Sequence, residues 1–317
     1  MKKDSFHGVL LIRKEKDWTS HDVVQKIRNL LNQKSVGHAG TLDPMAEGLL
    51  VVLLGSVTKL SSYLLNADKR YKLLMKFGLI TDSYDATGEI LQDEKVSLKK
   101  DTIEKEIKKN LGELHLKVPY FSAVKVKGKK LYKYAQSGSE VERPIKKMSL
   151  YDLDIHRITK DHAEVSVSCS KGTYIRSWVS FLGEQLKTGA CLMKLERVSS
   201  GFFSIDKGLT LLDLEKKLKN VENSKDLKTA IGGCFCFASE ALPHFPFLEL
   251  TNRDTKALSQ GQIPENLIQK SQSQQIEVNQ QGSSQFLKIV QGHHLITLLE
   301  LEPYKKIKIV KNFPLAY

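Results

Sequence analysis

Cysteine is scarce in this chain, and its spacing matches neither a zinc site nor a redox pair. The 317 residues contain four cysteines. One pair forms a C-x-C, but no C-x-x-C pair occurs and no histidine stands at zinc-ligand spacing. The sequence therefore predicts no metal centre and free thiols, mostly buried, in a reducing compartment. The four are Cys169, Cys191, Cys234 and Cys236.

Long apolar runs are also missing. No stretch approaches the roughly 20 apolar residues that a membrane-spanning helix needs. Near the N-terminus the apolar stretch covers only residues 9–12, which is shorter than the core of about 7–15 residues in a secretory signal peptide. We therefore expect a soluble, cytoplasmic protein that binds no membrane.

The common phosphate-binding motifs are absent as well. The sequence has no G-x-x-x-x-G-K-[ST] loop and no G-x-G-x-x-G following a strand. It also lacks the G-x-S-x-G turn that carries a nucleophilic serine. These absences argue against the use of nucleoside triphosphates or dinucleotides and against a serine hydrolase.

Positive charge, in contrast, is in excess. Lys and Arg number 49 against 36 Asp and Glu, which gives a net charge of +13. Such an excess favours a polyanionic partner, because each neutralised phosphate releases condensed counterions. One basic cluster is interleaved with Tyr132 and Tyr134, and it is a candidate for phosphate binding. A solvated lysine face on a short helix explains the cluster equally well at this point. Its members are Lys125, Lys127, Lys129, Lys130 and Lys133.

Strand and helix patterns alternate without a regular βαβ rhythm, which predicts an α+β fold with a mixed, largely antiparallel sheet. The motif Thr19-Ser20-His21-Asp22 predicts a helix start, because apolar residues follow at helical spacing. A lysine- and glutamate-rich stretch predicts a surface helix over residues 91–117. Residues 174–186 predict another helix. Strands are predicted at 7–12, at 49–54 (buried on both faces), at 69–79 and at 165–169 (half-buried).

Length and composition suggest two domains. The chain exceeds the usual 100–200 residues of a single unit, and its texture changes near residues 232–246, where Pro243 and Pro246 follow a glycine- and cysteine-rich stretch. We expect a larger domain over residues 1–245 and a small β-rich domain over 246–317. The small domain should contain strands near 286–290, 295–299 and 307–310, and a Gln/Ser-rich loop over about 271–285.

Residues 37–44 predict a loop that leads into the apolar strand at Leu49. Asp43 lies in this loop between Leu42 and Pro44, and the proline restricts its backbone. Loops held by rigid flanks often carry reactive side chains. Asp before Pro also commonly closes a turn or caps a helix, so both roles are open for Asp43 on this pattern alone.

The segment from residue 37 to 50, GHAGTLDPMAEGLL, resembles the catalytic motif of the TruB family of tRNA pseudouridine synthases. Further segments resemble the family in the same order, and the resemblance covers about residues 6–205. These segments are GVLLI at 8–12 with Trp18-Thr19-Ser20, KRY at 69–71, Gly78 through Asp82 to Gly88, GKKLY at 128–132 and KGTYIR at 171–176.

The resemblance implies an isomerase with a pseudouridine-synthase core, and a C-terminal domain of the RNA-binding PUA type. The implied reaction converts the uridine at position 55, in the TΨC loop of tRNA, into pseudouridine without a cofactor. It breaks the N1–C1′ bond, rotates the base and rejoins it through C5. The implied partner is the tRNA T-arm, and no obligate protein partner is indicated.

The resemblance also assigns roles to individual residues. Asp43 would act as the nucleophile or stabilise positive charge on the sugar, and Arg176 would pair with it, since an opposite charge favours the ionised carboxylate. Tyr71 would lie against the base and assist proton removal at C5. The flipped-out base would be contacted by His38, Tyr174 and Leu195.

Backbone contacts to the tRNA would come from basic residues. Lys59 is a candidate, together with the cluster that contains Lys125, Lys127, Lys129 and Lys130. The sequence departs from the family pattern at Glu196, where a second basic residue is expected after Leu195. That departure puts one phosphate contact in question but not the base pocket.

Two other functions are compatible with a basic RNA-associated protein. A non-catalytic tRNA-binding module needs the charge, but it has no physical need for Asp43, Tyr71 and Arg176 together. A glycosidic hydrolase usually needs two carboxylates that flank the bond. Only Asp43 is well placed in the sequence, and nothing marks the nearby Glu47 as its partner.

Overall fold

A computed structural model describes residues 5–250, 252–259, 261–264, 267, 285–301 and 307–313. The strands are β1 (Gly8–Lys14), β2 (Val36–His38), β3 (Glu47–Leu54), β4 (Lys69–Phe77), β5 (Leu79–Thr81), β6 (Ile90–Asp93), β7 (Gly112–Lys117), β8 (Lys125–Val126), β9 (Lys129–Lys130), β10 (Ile145–Ile158), β11 (His162–Cys169), β12 (Ala190–Ser200), β13 (Phe203–Ser204), β14 (Phe235–Phe237), β15 (Phe247–Glu249), β16 (Gln285–Gln291), β17 (His294–Leu301) and β18 (Ile307–Asn312). The α-helices are α1 (Ser20–Leu31), α2 (Ser61–Leu65), α3 (Lys100–Lys109), α4 (Leu131–Gln136), α5 (Ile175–Gln185), α6 (Leu211–Lys217), α7 (Ser224–Ile231) and α8 (Asn252–Ser259).

A large mixed sheet forms the centre of the fold. Its strand order is β14-β1-β3-β12-β4-β11-β10-β7, with β2 paired to β3 and β13 paired to β12. The pairs are antiparallel except for the short parallel contact between β12 and β3. The predicted α+β class with a largely antiparallel sheet is confirmed. None of the helices in the described parts of the chain is long and apolar enough to cross a membrane.

The centre of the sheet is buried on both faces, as the apolar run of β3 predicts. Leu50 and Val52 face a cluster that helices α1, α6 and α7 cover, whereas Leu49 and Val51 face the opposite cluster. Helix α1 begins as predicted: Thr19 caps it, and Thr19 and Asp22 exchange the reciprocal hydrogen bonds of a capping box.

A second sheet is built from the C-terminal strands in the order β15-β16-β17-β18. The three strands predicted in this region are confirmed as β16, β17 and β18. Apolar side chains of this sheet share one cluster with residues 57–64 of the larger unit, so removing the C-terminal region would expose core surface. The shared residues are Val57, Leu60, Leu64, Val290, Leu295, Leu298 and Phe313. Apart from Gln285, the predicted Gln/Ser-rich loop lies outside the described residues.

Three predictions of secondary structure need correction. The helix predicted over 91–117 spans only α3, because the chain turns at Gly112, whose φ is +84°, and continues as β7 along β10. Strand β11 is buried on both faces from Val165 onward; the hydroxyl groups of Ser166 and Ser168 bond to His156 and Arg70. The predicted loop at 37–44 begins later, because residues 36–38 pair with β3 as β2.

Gly48 allows the start of β3 to pack closely against β12. Its φ is +102°, and a Cβ atom there would lie 2.4 Å from the carbonyl oxygen of Arg197. We therefore expect Gly48→Ala to lower the free energy of unfolding by about 2–3 kcal/mol, measured in urea.

Gly112→Ala is the matched control, since its φ is also positive but a Cβ atom at this position would have no other atom within 4 Å. It should cost only about 1 kcal/mol, because only the backbone conformation becomes unfavourable. Equal losses for the two variants would show that the close approach of Gly48 to Arg197 is unimportant.

Candidate active site

The loop that carries Asp43 connects β2 to β3, and side chains of α1 and β1 hold it through hydrogen bonds to its backbone. The buried Ser20 hydroxyl accepts a hydrogen bond from the Leu42 backbone N–H at 2.8 Å and donates to the Leu42 carbonyl at 3.2 Å. The Lys14 ammonium donates to the Pro44 carbonyl at 3.2 Å. Burial lowers the pKa of Lys14 to about 8. The backbone on both sides of Asp43 is therefore fixed.

Arg176 is the ion-pair partner of Asp43. Its Nε atom lies 2.9 Å from Asp43 Oδ2, although the two residues are far apart in sequence: Asp43 lies between β2 and β3, and Arg176 lies in α5. Arg176 lies in the first turn of α5 and is only 3% exposed, whereas a third of the Asp43 side chain (33%) is exposed. The carboxylate of Asp43 is held by a cation and does not cap the turn.

The other nitrogens of Arg176 are also occupied. Nη1 donates to the Ser83 carbonyl at 3.0 Å and Nη2 to the Phe121 carbonyl at 2.9 Å. Nη1 also lies 3.5 Å from Oδ2 of Asp85. Because every nitrogen has a partner, the guanidinium can present its Nε edge to Asp43 in only one orientation.

Asp85 is a second carboxylate that the sequence analysis did not identify. It is buried, and its Oδ1 accepts hydrogen bonds from the Ser83 hydroxyl at 2.8 Å and from the Thr87 hydroxyl at 2.6 Å. It thus supports Arg176 from the side away from Asp43. In the sequence, the polar run TDSYDATG at 81–88 indicates a turn and lies within a segment that resembles the family, but neither signal marks Asp85 as the partner of an arginine.

Asp43 and Arg176 open into a cavity of about 320 Å³, at the small end of the range for ligand pockets. The cavity brings together five of the six catalytic and base-contacting residues named from the sequence: Asp43, Tyr71, Tyr174, Arg176 and Leu195. Further lining residues include Gly40, Thr41, Lys69, Ser122, Cys169, Thr173 and Arg197.

Tyr71 and Leu195 reach the cavity from neighbouring strands, and Tyr174 from the start of α5. Tyr71 on β4 is 9% exposed, and burial raises its pKa. Burial also raises the pKa of Tyr174. Aromatic and aliphatic walls around one charged pair form a pocket suited to a flat, partly polar ring.

His38 is the named residue that does not line the cavity. It lies in β2, just before the loop of Asp43, and burial lowers its pKa, with the charge of Arg197 as the second cause. Its Nδ1 atom is buried without a hydrogen-bond partner among the described residues. The ring therefore lies next to the loop that carries Asp43 without forming part of the pocket.

Two buried cations of the cavity, Lys69 and Arg197, were not identified as site residues from the sequence. Arg197 is 1% exposed, and its Nε donates to the Leu49 carbonyl at 2.7 Å. The Lys69 ammonium donates to the carbonyl of Leu65 at 2.6 Å, and burial lowers its pKa to about 8. The available signal is that Arg197 occupies an inward position of β12, two residues after Leu195.

Glu196 points away from the cavity. Strand alternation places it on the opposite face from Leu195 and Arg197, where its cross-strand neighbour is Lys72. The departure from the family pattern at this position therefore leaves the pocket unchanged.

The basic cluster lies mostly on a hairpin, not on a helix. Lys125 lies on β8 and Lys129 and Lys130 on β9, with Lys127 in the turn between them. Lys133 lies on α4. The ammonium groups of Lys129 and Lys130 lie 4.7 and 5.6 Å from the ring centroids of Tyr134 and Tyr132, respectively.

The hairpin follows directly after the segment that contacts Arg176 and lines the cavity. Phe121 accepts the hydrogen bond from Arg176, and Ser122 lines the cavity. Lys59, in contrast, lies beside the second sheet, and its ammonium donates to the Asn312 carbonyl at 2.7 Å. Within the described part of the chain, no group of three or more His, Cys, Asp and Glu side chains is arranged to hold a metal ion.

Comparison with known proteins gives a consistent result. The family model "TruB family pseudouridylate synthase (N terminal domain)" matches residues 28–175. The protein named tRNA pseudouridine synthase B from Bdellovibrio bacteriovorus is 38% identical over 95% of this chain and 95% of its own length. The protein of the same name from Chromobacterium violaceum is 39% identical over 88% of this chain and 89% of its own length.

Solved structures share the fold at lower identity. A chain in the crystal structure of a Cbf5-Nop10-Gar1 complex superposes with a TM-score of 0.68 at 23% identity, covering 96% of this chain and 82% of that one. A chain in an H/ACA RNP bound to a substrate RNA containing 2′-deoxyuridine gives a TM-score of 0.66 at 21% identity, with coverage of 96% and 82%.

Proposed function

Because the chain belongs to the TruB family of pseudouridylate synthases, we propose that it isomerises the uridine at position 55, in the TΨC loop of tRNA, to pseudouridine. The observation that carries the proposal is the geometry of Asp43. Its carboxylate is partly exposed to the cavity while Arg176 holds it at 2.9 Å from the buried side. A charged, oriented and accessible oxygen is what a reaction at a glycosidic carbon requires.

The target base must leave the stacked loop before Asp43 can reach it. In the proposed complex the uracil ring enters the cavity between Tyr71, Tyr174 and Leu195, which line it. The carboxylate of Asp43 then acts at the nucleotide as the N1–C1′ bond breaks. The base rotates within the pocket and rejoins the sugar through C5, and the oxygen of Tyr71 accepts the C5 proton. We propose that His38, outside the cavity, contacts the tRNA where the nucleotide leaves the loop.

The arrangement of carboxylates argues against a glycosidic hydrolase. Such an enzyme needs a second carboxyl group that faces the scissile bond. Asp85 is buried behind Arg176 and bonded to Ser83 and Thr87, and Glu47 is exposed at the start of β3. Neither flanks the cavity opposite Asp43, so retention and reattachment of the base are favoured over attack by water.

The direct test uses an unmodified tRNA transcript. After incubation with the full chain, pseudouridine should be mapped at position 55. A transcript with cytidine at that position should remain unmodified. Modification at other positions, or none at all, would contradict the proposed function.

We propose that the hairpin of β8 and β9, with its lysine side chains, binds the tRNA backbone near the catalytic cavity. Changing Lys125, Lys127, Lys129 and Lys130 together to Gln should weaken tRNA binding at least about tenfold at moderate salt. The salt slope should fall by about one unit for each phosphate that the variant no longer neutralises. Equilibrium binding at several salt concentrations measures both quantities.

A matched control removes the same charge from another face. Lys216, Lys217, Lys219 and Lys225 are exposed on or beside α6 and α7, and their change to Gln should affect binding much less. Equal weakening by the two quadruple variants would show that only the net charge matters and that the hairpin makes no specific contact.

We further propose that residues 246–317 form a PUA-like RNA-binding domain beside a catalytic domain of residues 1–245. Lys59 lies where the second sheet meets the larger unit, and in this arrangement it extends the basic surface along the tRNA arm. Because the sheets share core residues, the contribution should be measured with Lys59→Gln in the full chain. An unchanged affinity would remove Lys59 from the interface.

A further inference from the structure

Arg197 is a buried positive charge without a negative partner. It is 1% exposed, and the acceptors of its guanidinium include the neutral carbonyl oxygens of Leu49 at 2.7 Å and Gly40 at 3.0 Å. In the part of the chain that the structure describes, no carboxylate lies at ion-pair distance, whereas Arg176 contacts two. Burying an uncompensated charge is costly, so a function for this charge should be sought in the cavity that it lines.

The Tyr71 hydroxyl is the polar group of the cavity that the charge of Arg197 can serve. Arg197 on β12 and Tyr71 on β4 are directly paired across the two strands, and both residues line the cavity. Burial raises the pKa of Tyr71, and the charge of Asp43 acts in the same sense. The charge of Arg197 opposes them and favours the tyrosinate form.

We propose that Arg197 is a positioning residue that orients the Tyr71 oxygen and stabilises the negative charge that this oxygen carries before it takes the proton from C5 of the uracil ring. The inference rests on the proposed function. It explains why a guanidinium is buried without a carboxylate: its counter-charge is the tyrosinate of Tyr71, which forms when Tyr71 loses its proton to solvent and is neutralised when the oxygen takes the proton from C5. A permanent carboxylate there would neutralise Arg197 and disfavour the tyrosinate.

Proton removal at C5 completes the isomerisation. After the base has rejoined the sugar, C5 carries both the new C–C bond and its hydrogen. The tyrosinate oxygen removes this hydrogen as a proton. The C–H electron pair forms the C5–C6 double bond, and the pair of the C6–N1 double bond moves to N1, which takes up a proton from solvent. Tyr71 returns its proton to solvent before the next turnover.

Arg197 also supports the catalytic loop through the carbonyl of Gly40. An effect on rate alone would therefore not separate the two roles. The separating measurement is the deuterium isotope effect at C5, because only a change in proton removal makes cleavage of the C5–H bond slower relative to the other steps. Loss of loop support would instead slow the steps in which Asp43 takes part.

The test compares single-turnover rates on tRNA transcripts made with ordinary and with 5-deuterated uridine. Arg197→Gln should slow pseudouridine formation by about 10²–10³-fold and increase the isotope effect above that of the unaltered protein. Arg197→Lys, which keeps a positive charge, should show a smaller loss in the same direction. If Arg197→Gln does not fold, the lysine variant alone decides the outcome.

Ser20→Ala is the matched control for loop support, since it removes the hydrogen bonds to Leu42 and leaves the Arg197–Tyr71 pair intact. It should slow the reaction without increasing the isotope effect. An Arg197 variant that slows the reaction without increasing the isotope effect, or that keeps the full rate, would overturn the inference. If the unaltered protein makes no pseudouridine, the proposed function itself has failed, which is a different result.

Discussion

Asp43→Asn should reduce the single-turnover rate of pseudouridine formation by about 10⁴-fold or more, while the affinity for tRNA stays within a few-fold of that of the unaltered protein. The substitution keeps the volume of the side chain but removes the negative charge. An amide can neither bond to the sugar carbon nor stabilise positive charge there. Because Asp43 is one small group at the cavity mouth, most of the tRNA contacts are expected to remain.

Asp93→Asn is the matched control for this variant. Asp93 is also an aspartate in an ion pair, with its Oδ1 atom 3.0 Å from Lys76 Nζ, but the pair is exposed, and such pairs contribute little to stability. Its activity should equal that of the unaltered protein. An Asp43→Asn protein that retains a substantial fraction of the rate, with the substitution verified by mass spectrometry, would remove Asp43 from the chemistry.

Arg176→Gln should affect both stability and rate. It leaves the carboxylates of Asp43 and Asp85 without their shared cation and removes donors from the carbonyls of Ser83 and Phe121. Breaking a buried ion pair by removing one partner costs about 3–5 kcal/mol in free energy of unfolding. The rate should fall by about 10²–10³-fold as Asp43 loses its orientation. Urea unfolding and single-turnover kinetics measure the two effects.

A double variant separates charge from position. Arg176→Gln combined with Asp85→Asn removes the buried carboxylate that the first change leaves unpaired, so part of the lost stability should return. The rate should stay low, because Asp43 still has no cation. Arg157→Gln, at an exposed position, controls for the loss of an arginine as such. A double variant no more stable than Arg176→Gln would show that Asp85 is not held in place as an ion by Arg176.

Local patterns were sufficient for several elements. The capping residues Thr19 and Asp22 predict the start of α1, and the unbroken apolar run of β3 predicts a strand covered on both faces. Both features depend on residues close in sequence. The predicted length of α3 was wrong because glutamate and lysine occur on exposed edge strands as well as on surface helices. The chain turns at Gly112 and continues as an edge strand, although the spacing of its apolar residues is helical.

The composition of the cavity could not be predicted from local patterns, because it depends on the tertiary fold. Motif resemblance located Asp43, Tyr71 and Arg176, but only tertiary structure brings Asp85 behind Arg176 and Arg197 beside Tyr71. A carboxylate in a turn and an arginine in a strand are ordinary surface features in a sequence. Their importance comes from burial and from partners on distant elements, which local periodicity does not encode.

The most direct measurement of the central claim is a structure of the Asp43→Asn protein bound to a T-arm stem-loop of tRNA. The account predicts that the nucleotide at position 55 lies outside the helical stack, with its base between Tyr71 and Leu195 and its C1′ atom within about 3.5 Å of the residue 43 side chain. A complex in which that nucleotide remains stacked in the loop, or lies in another pocket away from residue 43, would contradict it.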